Sequence, residues 1–484
     1  MNSTLSLTQK TVNATKWYGL ISIVEQLSGY LITIVLARLL IPSDFALMAI
    51  ITVFIGFARM FQDVGFGPSI VTKSDISDEF VNSVFWLTQG MGLIFFLIFS
   101  FSASFISDFY NNESLFYLTI FVSFNFLISP YTMVQNRLLE RSLRLKYISI
   151  VSIIIVTFSG ILGIILALKG FGVWSIAISG MAGQLLKPII VFRFNKWKPK
   201  FQYSYKTLKS STGFALNLSA AKAIGYLTLN LPRLIFGKII GLTPLGLYTM
   251  GNRIGVQPII RLSAYVSKPL LASYSKVQDD NERLIRGYLK TIEFFVFMLF
   301  PASIGIVIIA PEIVHVLLGE KWLGSIPIIQ MLCIFGFLKV LVNTNMSVFY
   351  AINRADIILK WSIISILIHI PVLIFSSFYG INIAIASVIL LYILFFIIIQ
   401  TWLNIVINLS WREYTIKIIK PFLCVIVMGV ITYLVRSIII DIDLGNLFKL
   451  FILIFTGISI YLVLTILFNK SSLYEKWNMI FSKV

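Results

Sequence analysis

Fourteen apolar stretches, each near the length of about 20 residues that crosses a bilayer, follow one another along this chain, and water could not accommodate that many. In lipid every backbone N–H and C=O must be paired internally, so only helices and closed barrels can span. These stretches are continuous rather than alternating, which specifies helices. The first seven spans are placed near residues 17–39, 43–65, 80–106, 114–134, 147–169, 171–194 and 213–236. The other seven fall near 243–270, 288–318, 326–350, 357–379, 381–404, 415–438 and 446–468. Of the 484 residues 58% are hydrophobic and only 12% charged, with a mean hydropathy of +0.93. The expected fold class is therefore an all-α polytopic membrane protein of about 14 transmembrane helices.

The formal net charge of +19 does not imply nucleic acid, because the cations cluster in short loops between spans. Only six Lys and Arg fall in or at the edges of the odd-numbered loops: Arg38, Lys169, Lys238, Lys321, Arg436 and Lys449. The even-numbered loops hold runs such as Arg137, Arg141, Arg144 and Lys146, then Arg193, Lys196, Lys198, Lys200, Lys206 and Lys209. Both termini are thus expected in the cytoplasm, which an even span count also requires. Cys333 and Cys424 both sit inside apolar runs, so neither a disulfide framework nor a cysteine metal site is expected. No small-residue cleavage pattern follows the first apolar run, which reads as a retained span.

A shift of 200 residues aligns Ala37–Met48 with Gly237–Tyr248. Each copy reads small, basic, two aliphatics, a turn, then an apolar restart. The shift predicts two parallel six-span lobes related by a pseudo-two-fold axis along the membrane normal. The domains expected are an N-terminal lobe over 1–194, a basic cytoplasmic loop over 195–212, a C-terminal lobe over 213–404 and a terminal helix pair with its tail over 405–484.

The stretch Ala37-Arg38-Leu39-Leu40-Ile41-Pro42-Ser43-Asp44-Phe45-Ala46-Leu47 resembles the A-R-L-L-x-P-x-D-F-G-L element of Wzx-type lipid-linked oligosaccharide flippases. These belong to the multidrug/oligosaccharidyl-lipid/polysaccharide superfamily. Gln62–Gly67 followed by Asn82-Ser83-Val84-Phe85-Trp86 resembles the element that comes next in that family. The chain departs from the pattern at Ala46, where the family has Gly. The resemblance implies a flippase with its cavity between the lobes. It further implies that a polysaccharide polymerase and a chain-length regulator act in the same pathway.

Polar stripes at helical spacing mark the candidate site. Ser219, Lys222, Tyr226, Asn230 and Arg233 share one face of span 7, and Arg253, Gln257, Arg261 and Lys268 share one face of span 8. Span 1 carries Ser22, Glu25, Gln26, Gly29 and Thr33, and span 2 carries Thr52, Gly56, Arg59 and Asp63. A charge at bilayer depth costs roughly 3 kcal/mol on insertion scales, so these cations read as a cavity wall that binds substrate. The bland alternative is snorkelling to the headgroups, which fits Arg233, Lys268 and Arg59 better than it fits Arg253. A guanidinium matches a phosphate in bidentate geometry, so such a wall suits a polyprenyl diphosphate, whereas cationic drugs would require the opposite sign.

Glu25 is either a coupling site for H⁺ or Na⁺ or an ion-pair partner of Lys222, and the ion pair is favoured. Pro258 in span 8 removes a backbone hydrogen bond and is a candidate hinge, against the plain fact that proline is common in membrane helices. Lys339 lies mid-span in the tenth helix, and His315 and His369 read as structural. Aromatics such as Trp17, Tyr18 and Tyr226 are candidates to stack on sugars. No cofactor, metal or catalytic group is expected, and no P-loop occurs.

The leading function is translocation of an anionic polyprenyl-diphosphate-linked oligosaccharide for O-antigen, capsule or exopolysaccharide synthesis, in the bacterial cytoplasmic membrane. The competing readings are a cation-coupled multidrug or metabolite exporter of the same fold and a membrane-embedded glycosyltransferase or polymerase. Neither the sugar nor the oligomeric state is written in the chain.

Overall fold

The computed structural model describes residues 7–62 and 66–468, without the side chains of residues 7–20, 22, 206–207, 209–222, 224, 265–269, 271–272 and 355. Asp63 and the side chains of Trp17, Tyr18, Ser22, Ser219, Lys222 and Lys268 therefore lie outside the described residues. Two compact units result, one ending at Gly246 and the other beginning at Leu247.

The first unit contains α1 (Leu7–Leu39), α2 (Pro42–Gln62), α3 (Phe66–Thr72), α4 (Asp78–Tyr110), α5 (Ser114–Ser123), α6 (Asn125–Arg141), α7 (Leu145–Leu168), α8 (Val173–Phe194) and α9 (Tyr205–Ile239). The next helix, α10 (Leu242–Gly251), crosses the boundary between the units. A π-helical turn, Asn252–Val256, then leads into α11 (Gln257–Ser275). The second unit continues with α12 (Asn281–Ile313), α13 (Ile326–Ala351), α14 (Ala355–Ser377), α15 (Ile381–Ile407), α16 (Trp411–Ile439) and α17 (Asn446–Phe468).

The helix starts follow from local chemistry. Ser77 accepts from the Phe80 N–H at 3.1 Å and Asp78 and Glu79 occupy the first turn of α4, where the helix dipole favours anions. Asp280 accepts from Arg283 N at 3.0 Å at the head of α12. Ser410 accepts from Glu413 N at 3.1 Å at the head of α16. The short α3 ends on a different device, since Arg141 donates to the carbonyls of Ile70, Val71, Lys73 and Ser74 at 3.1, 3.4, 2.5 and 2.6 Å. Helix-end carbonyls that the helix itself cannot pair are satisfied in this way.

Each expected span has a helical counterpart, the fourth formed by α5 and α6 together and the eighth by α10, the π turn and α11. Among the described residues, eleven helical stretches are long and apolar enough to cross a membrane. Those outside this set are α1, α9 and α10–α11, three of the four stripe-bearing segments. A count of fourteen thus rests on reading them as polar spans.

The two repeated turns begin with the same backbone bond. Leu40 N bonds Leu36 O at 2.8 Å, and Ile240 N bonds Phe236 O at 2.9 Å. The second copy uses Gly241 at φ +105°, a conformation that a side chain would strain. The restart of the second copy then packs directly on the first. A methyl at Gly246 would stand 2.0 Å from the Pro42 carbonyl oxygen, so only glycine allows this approach.

In the second unit, Tyr288, Phe295, Phe349 and Ile399 form the centre of a large apolar cluster. A polar chain runs through it. Tyr288 Oη donates to Asn345 Oδ1 at 2.6 Å, Asn345 Nδ2 to Gln400 Oε1 at 3.0 Å, and Gln400 Nε2 to Asn404 Oδ1 at 2.9 Å. Buried polar groups are tolerated because they are bonded to one another. Gly255 approaches α13 within 3.2 Å of the Cys333 N and Ile329 O that an added Cβ would meet, which holds the π turn close against that helix.

Candidate functional site

The stripes of α2 and α9 meet inside the first unit. Thr52, Gly56 and Arg59 recur along α2 at helical spacing, as do Tyr226, Asn230 and Arg233 along α9. The Tyr226 hydroxyl donates to the Thr52 carbonyl at 3.0 Å. Its ring end lies over Gly56, where an added Cβ would stand 2.0 Å from Oη and 2.5 Å from Cζ. The absence of a side chain at Gly56 therefore seats the tyrosine.

The cations around this seat are held by amides. Asn230 Nδ2 donates to the Tyr226 carbonyl at 2.8 Å, while its Oδ1 accepts from Arg233 Nη1 at 2.9 Å. Arg59 Nη2 donates to Asn125 Oδ1 of α6. One turn further on, Gln62 Nε2 donates to the Phe126 carbonyl at 2.6 Å and Gln62 Oε1 accepts from Ser129 at 3.0 Å, which joins α2 to α6. Arg59 and Arg233 both act electrostatically on the Tyr226 hydroxyl.

Lys187 lies on α8, which packs on α2, and it feels the charges of Arg59 and of Glu25 on α1. Among the described residues, the charges named here are Arg59, Arg233, Lys187 and Glu25. Sequence patterning left out Lys187, Asn125 and Gln62. The available signal for Lys187 was a lone cation inside the sixth span, directly before Pro188.

In the second unit the stripe of span 8 is divided by a change of helix type. Arg253 sits half-buried on the π turn, and Gln257, Pro258 and Arg261 sit at the start of α11. Gln257 N bonds back to Asn252 O across the wider π turn. Arg261 is exposed, and its Nη2 donates to Gln257 Oε1 at 3.3 Å. Lys339 lies 5.7 Å from the Phe335 ring centroid, and His369 packs edge-on to Tyr392 at 5.9 Å. His315 faces Glu320 at 3.1 Å.

Arg233 and Arg261 thus take neutral amide oxygens as partners, whereas Arg137, Arg283, Arg286, Arg354 and Arg436 face carboxylates at 2.6, 3.0, 3.3, 2.9 and 2.8 Å. An amide orients a guanidinium without cancelling its charge. These stripes can therefore hold an anion. Among the described residues, no group of three or more His, Cys, Asp or Glu could hold a metal ion.

A multi-pass helical membrane protein carrying oriented cations on its most polar helices is the class that fold and site define. The chain belongs to the polysaccharide biosynthesis protein family, whose pattern matches residues 35–327. It is 25% identical over 441 residues to the lipopolysaccharide biosynthesis protein WzxC of Escherichia coli (strain K12), covering 89% of this chain and 88% of that one. It is 28% identical over 385 residues to the teichuronic acid biosynthesis protein TuaB of Bacillus subtilis (strain 168), covering 78% and 79% of the two chains. The fold is that of the lipid II flippase MurJ in its inward closed conformation, with a TM-score of 0.73 at 15% identity over 94% of this chain and 99% of that one.

Proposed function

We propose that this protein is a flippase that carries an anionic polyprenyl-diphosphate-linked oligosaccharide across the bacterial cytoplasmic membrane by alternating access. The product serves O-antigen, capsule or exopolysaccharide synthesis. Both termini face the cytoplasm, and the protein is a transporter rather than an enzyme. The observation that carries this reading is the set of amide-held arginines, Arg233 beside Asn230 and Arg261 beside Gln257. The relatives named for lipopolysaccharide and teichuronic acid biosynthesis support it.

The diphosphate is the part of such a lipid that the membrane core excludes. Arg59, Arg233, Arg253, Arg261, Lys187 and Lys222 offset its desolvation, Asn230 and Gln257 hold two of the guanidinium groups, and the polyprenyl tail stays in lipid. Glu25 serves as an internal counter-charge, to Lys222 in the favoured reading, and it is also the carboxylate available for H⁺ or Na⁺ coupling. Pro258 directly follows the π turn, and we assign it the part of a hinge in span 8 during alternating access.

The test follows a fluorescent polyprenyl-diphosphate oligosaccharide between the leaflets of proteoliposomes. Wild type moves the lipid, and Arg233→Gln and Arg261→Gln, verified as folded, slow it at least tenfold. A wild type that leaves the lipid in place while exporting a soluble cationic compound overturns the assignment.

A further inference from the structure

Arg144 precedes α7, whereas Arg193, Lys196 and Lys198 end α8 and follow it, yet packing brings the two loops to one place. The Arg144 guanidinium carbon lies 4.7 Å from the centre of the Tyr147 ring, and that ring packs on Phe194 at 4.7 Å, next in sequence to Arg193. Lys198 Nζ stands 5.4 Å from the Phe192 ring. All four cations are exposed.

The lysines face outward because the segment that carries them is extended and pinned. Along 195–200 the exposed residues are Lys196, Lys198 and Lys200, while Asn195, Trp197 and Pro199 are half-buried, the two-residue period of an extended chain. Asn195 Nδ2 donates to the Gln135 carbonyl at 3.4 Å, and Trp197 meets Phe85 edge-on at 5.7 Å. At the far end Asn82 Oδ1 accepts from the Lys200 N–H and the Trp86 indole donates to the Lys200 carbonyl, both at 2.9 Å. Ser83 Oγ accepts from the Ser204 N–H at 2.8 Å. A flexible linker would let its cations wander, whereas this backbone keeps them in a row.

Neighbouring cations are neutralised and these four are not. Arg137 pairs with Glu140 at 2.6 Å and Lys200 with Asp78 at 3.2 Å. Among the described residues, Arg144, Arg193, Lys196 and Lys198 take no carboxylate partner. One and two turns before Arg193, on its own face of α8, Ile189 and Leu185 are 68% and 52% exposed. Phe201, 93% exposed, stacks on Trp86 at the end of the lysine row. Uncompensated cations above bare aliphatic side chains, with an exposed aromatic ring beside them, complement a lipid with an anionic headgroup. An acidic protein would match the cations and leave Ile189 and Leu185 without a use.

We propose that Arg144, Arg193, Lys196 and Lys198 form a headgroup site for an acidic phospholipid of the cytoplasmic leaflet, whose acyl chain lies along Ile189 and Leu185. The site rests on the cytoplasmic placement of these loops and not on the identity of the cargo.

The test uses the full chain with Cys333 and Cys424 replaced by Ala and one fluorophore at Ile189→Cys. Proteoliposomes are doped with brominated phosphatidylglycerol or brominated phosphatidylcholine as quencher. Phosphatidylglycerol is expected to half-quench the label at a mole fraction at least about fivefold below that of phosphatidylcholine, the weight of a single surface cation. A label at Ile383→Cys, 51% exposed near the start of α15, should show no preference. The preference at Ile189→Cys should vanish in Arg144→Gln/Arg193→Gln/Lys196→Gln/Lys198→Gln and remain in Arg144→Lys/Arg193→Lys, with unchanged melts in both. It should also fade at about 1 M salt, where the screening length is about 3 Å. Equal quenching by the two lipids in the unsubstituted site, or a preference that survives the four glutamines, overturns the proposal. So does release of phosphatidylglycerol by the polyprenyl-diphosphate oligosaccharide, which would make the patch part of the cargo route. An intact preference in a protein that flips nothing leaves the headgroup site standing and refutes the flippase reading alone.

Discussion

Replacing Gly56 with alanine adds one methyl where the structure has none to spare. The new Cβ would stand 2.0 Å from Tyr226 Oη, and ordinary contact begins at 3.4 Å, so the hydroxyl must retreat by about 1.4 Å. Its bond to the Thr52 carbonyl, now 3.0 Å, is lost. That loss costs about 0.5–1.5 kcal/mol net, and an off-rotamer tyrosine about as much again. Alanine returns up to about 1 kcal/mol through its better helix propensity. Stability therefore falls by no more than about 3 kcal/mol, while Tyr226 leaves its seat and the Asn230–Arg233 pair on the next turns loses its reference point. Transport should drop about tenfold or more even though the protein stays folded. Thermal unfolding in detergent and lipid translocation in proteoliposomes are measured on the same preparation. Tyr226→Phe, which loses only the hydrogen bond, should show the smaller effect of the two. Wild-type transport by Gly56→Ala at unchanged stability would refute the view that the α2–α9 seat is part of the site.

Three further outcomes are expected. Gly246→Ala drives a methyl against the Pro42 backbone, which cannot rotate away, and should destabilise by about 1–3 kcal/mol, read as a lower unfolding temperature. Arg436→Met strands Glu312, which is 8% exposed and bonded to Arg436 at 2.8 Å. A loss of about 3–5 kcal/mol follows, and adding Glu312→Gln should recover much of it. Tyr288→Phe removes a donor from the buried Asn345–Gln400–Asn404 chain and should cost about 1–3 kcal/mol, with equal transport per folded molecule. An unchanged melt would show that the amides repair the gap among themselves.

Helix positions were legible because each span carries its own signal. A continuous apolar run in lipid has no other backbone solution, and Ser77, Asp280 and Ser410 write several helix starts directly into the chain. The periodicity of Thr52, Gly56 and Arg59, and of Tyr226, Asn230 and Arg233, likewise depends only on the pitch of a helix. Lys187 was not legible. Gln184, one turn earlier in α8, is too short a pattern to mark a stripe, and the relation of Lys187 to Glu25 and Arg59 exists only once three helices converge. Gly56 was placed in the stripe of span 2, but neither it nor Gly246 told what lies opposite, since a glycine in an apolar run does not name its neighbour.

The amino-acid sequence alone thus determined that this is a helical membrane protein, which helices are polar, and which family element opens the chain, because these depend on local periodicity and on the cost of charge in lipid. Only the tertiary structure decided that α9 packs on α2 and α4, that Asn125 holds Arg59, and that Asn82, Ser83 and Trp86 bond the segment 195–204. Those facts depend on which faces meet, and a helix with several acceptable faces does not announce its neighbour. Packing selects one through close approaches such as Gly56 under Tyr226 and Gly246 against Pro42.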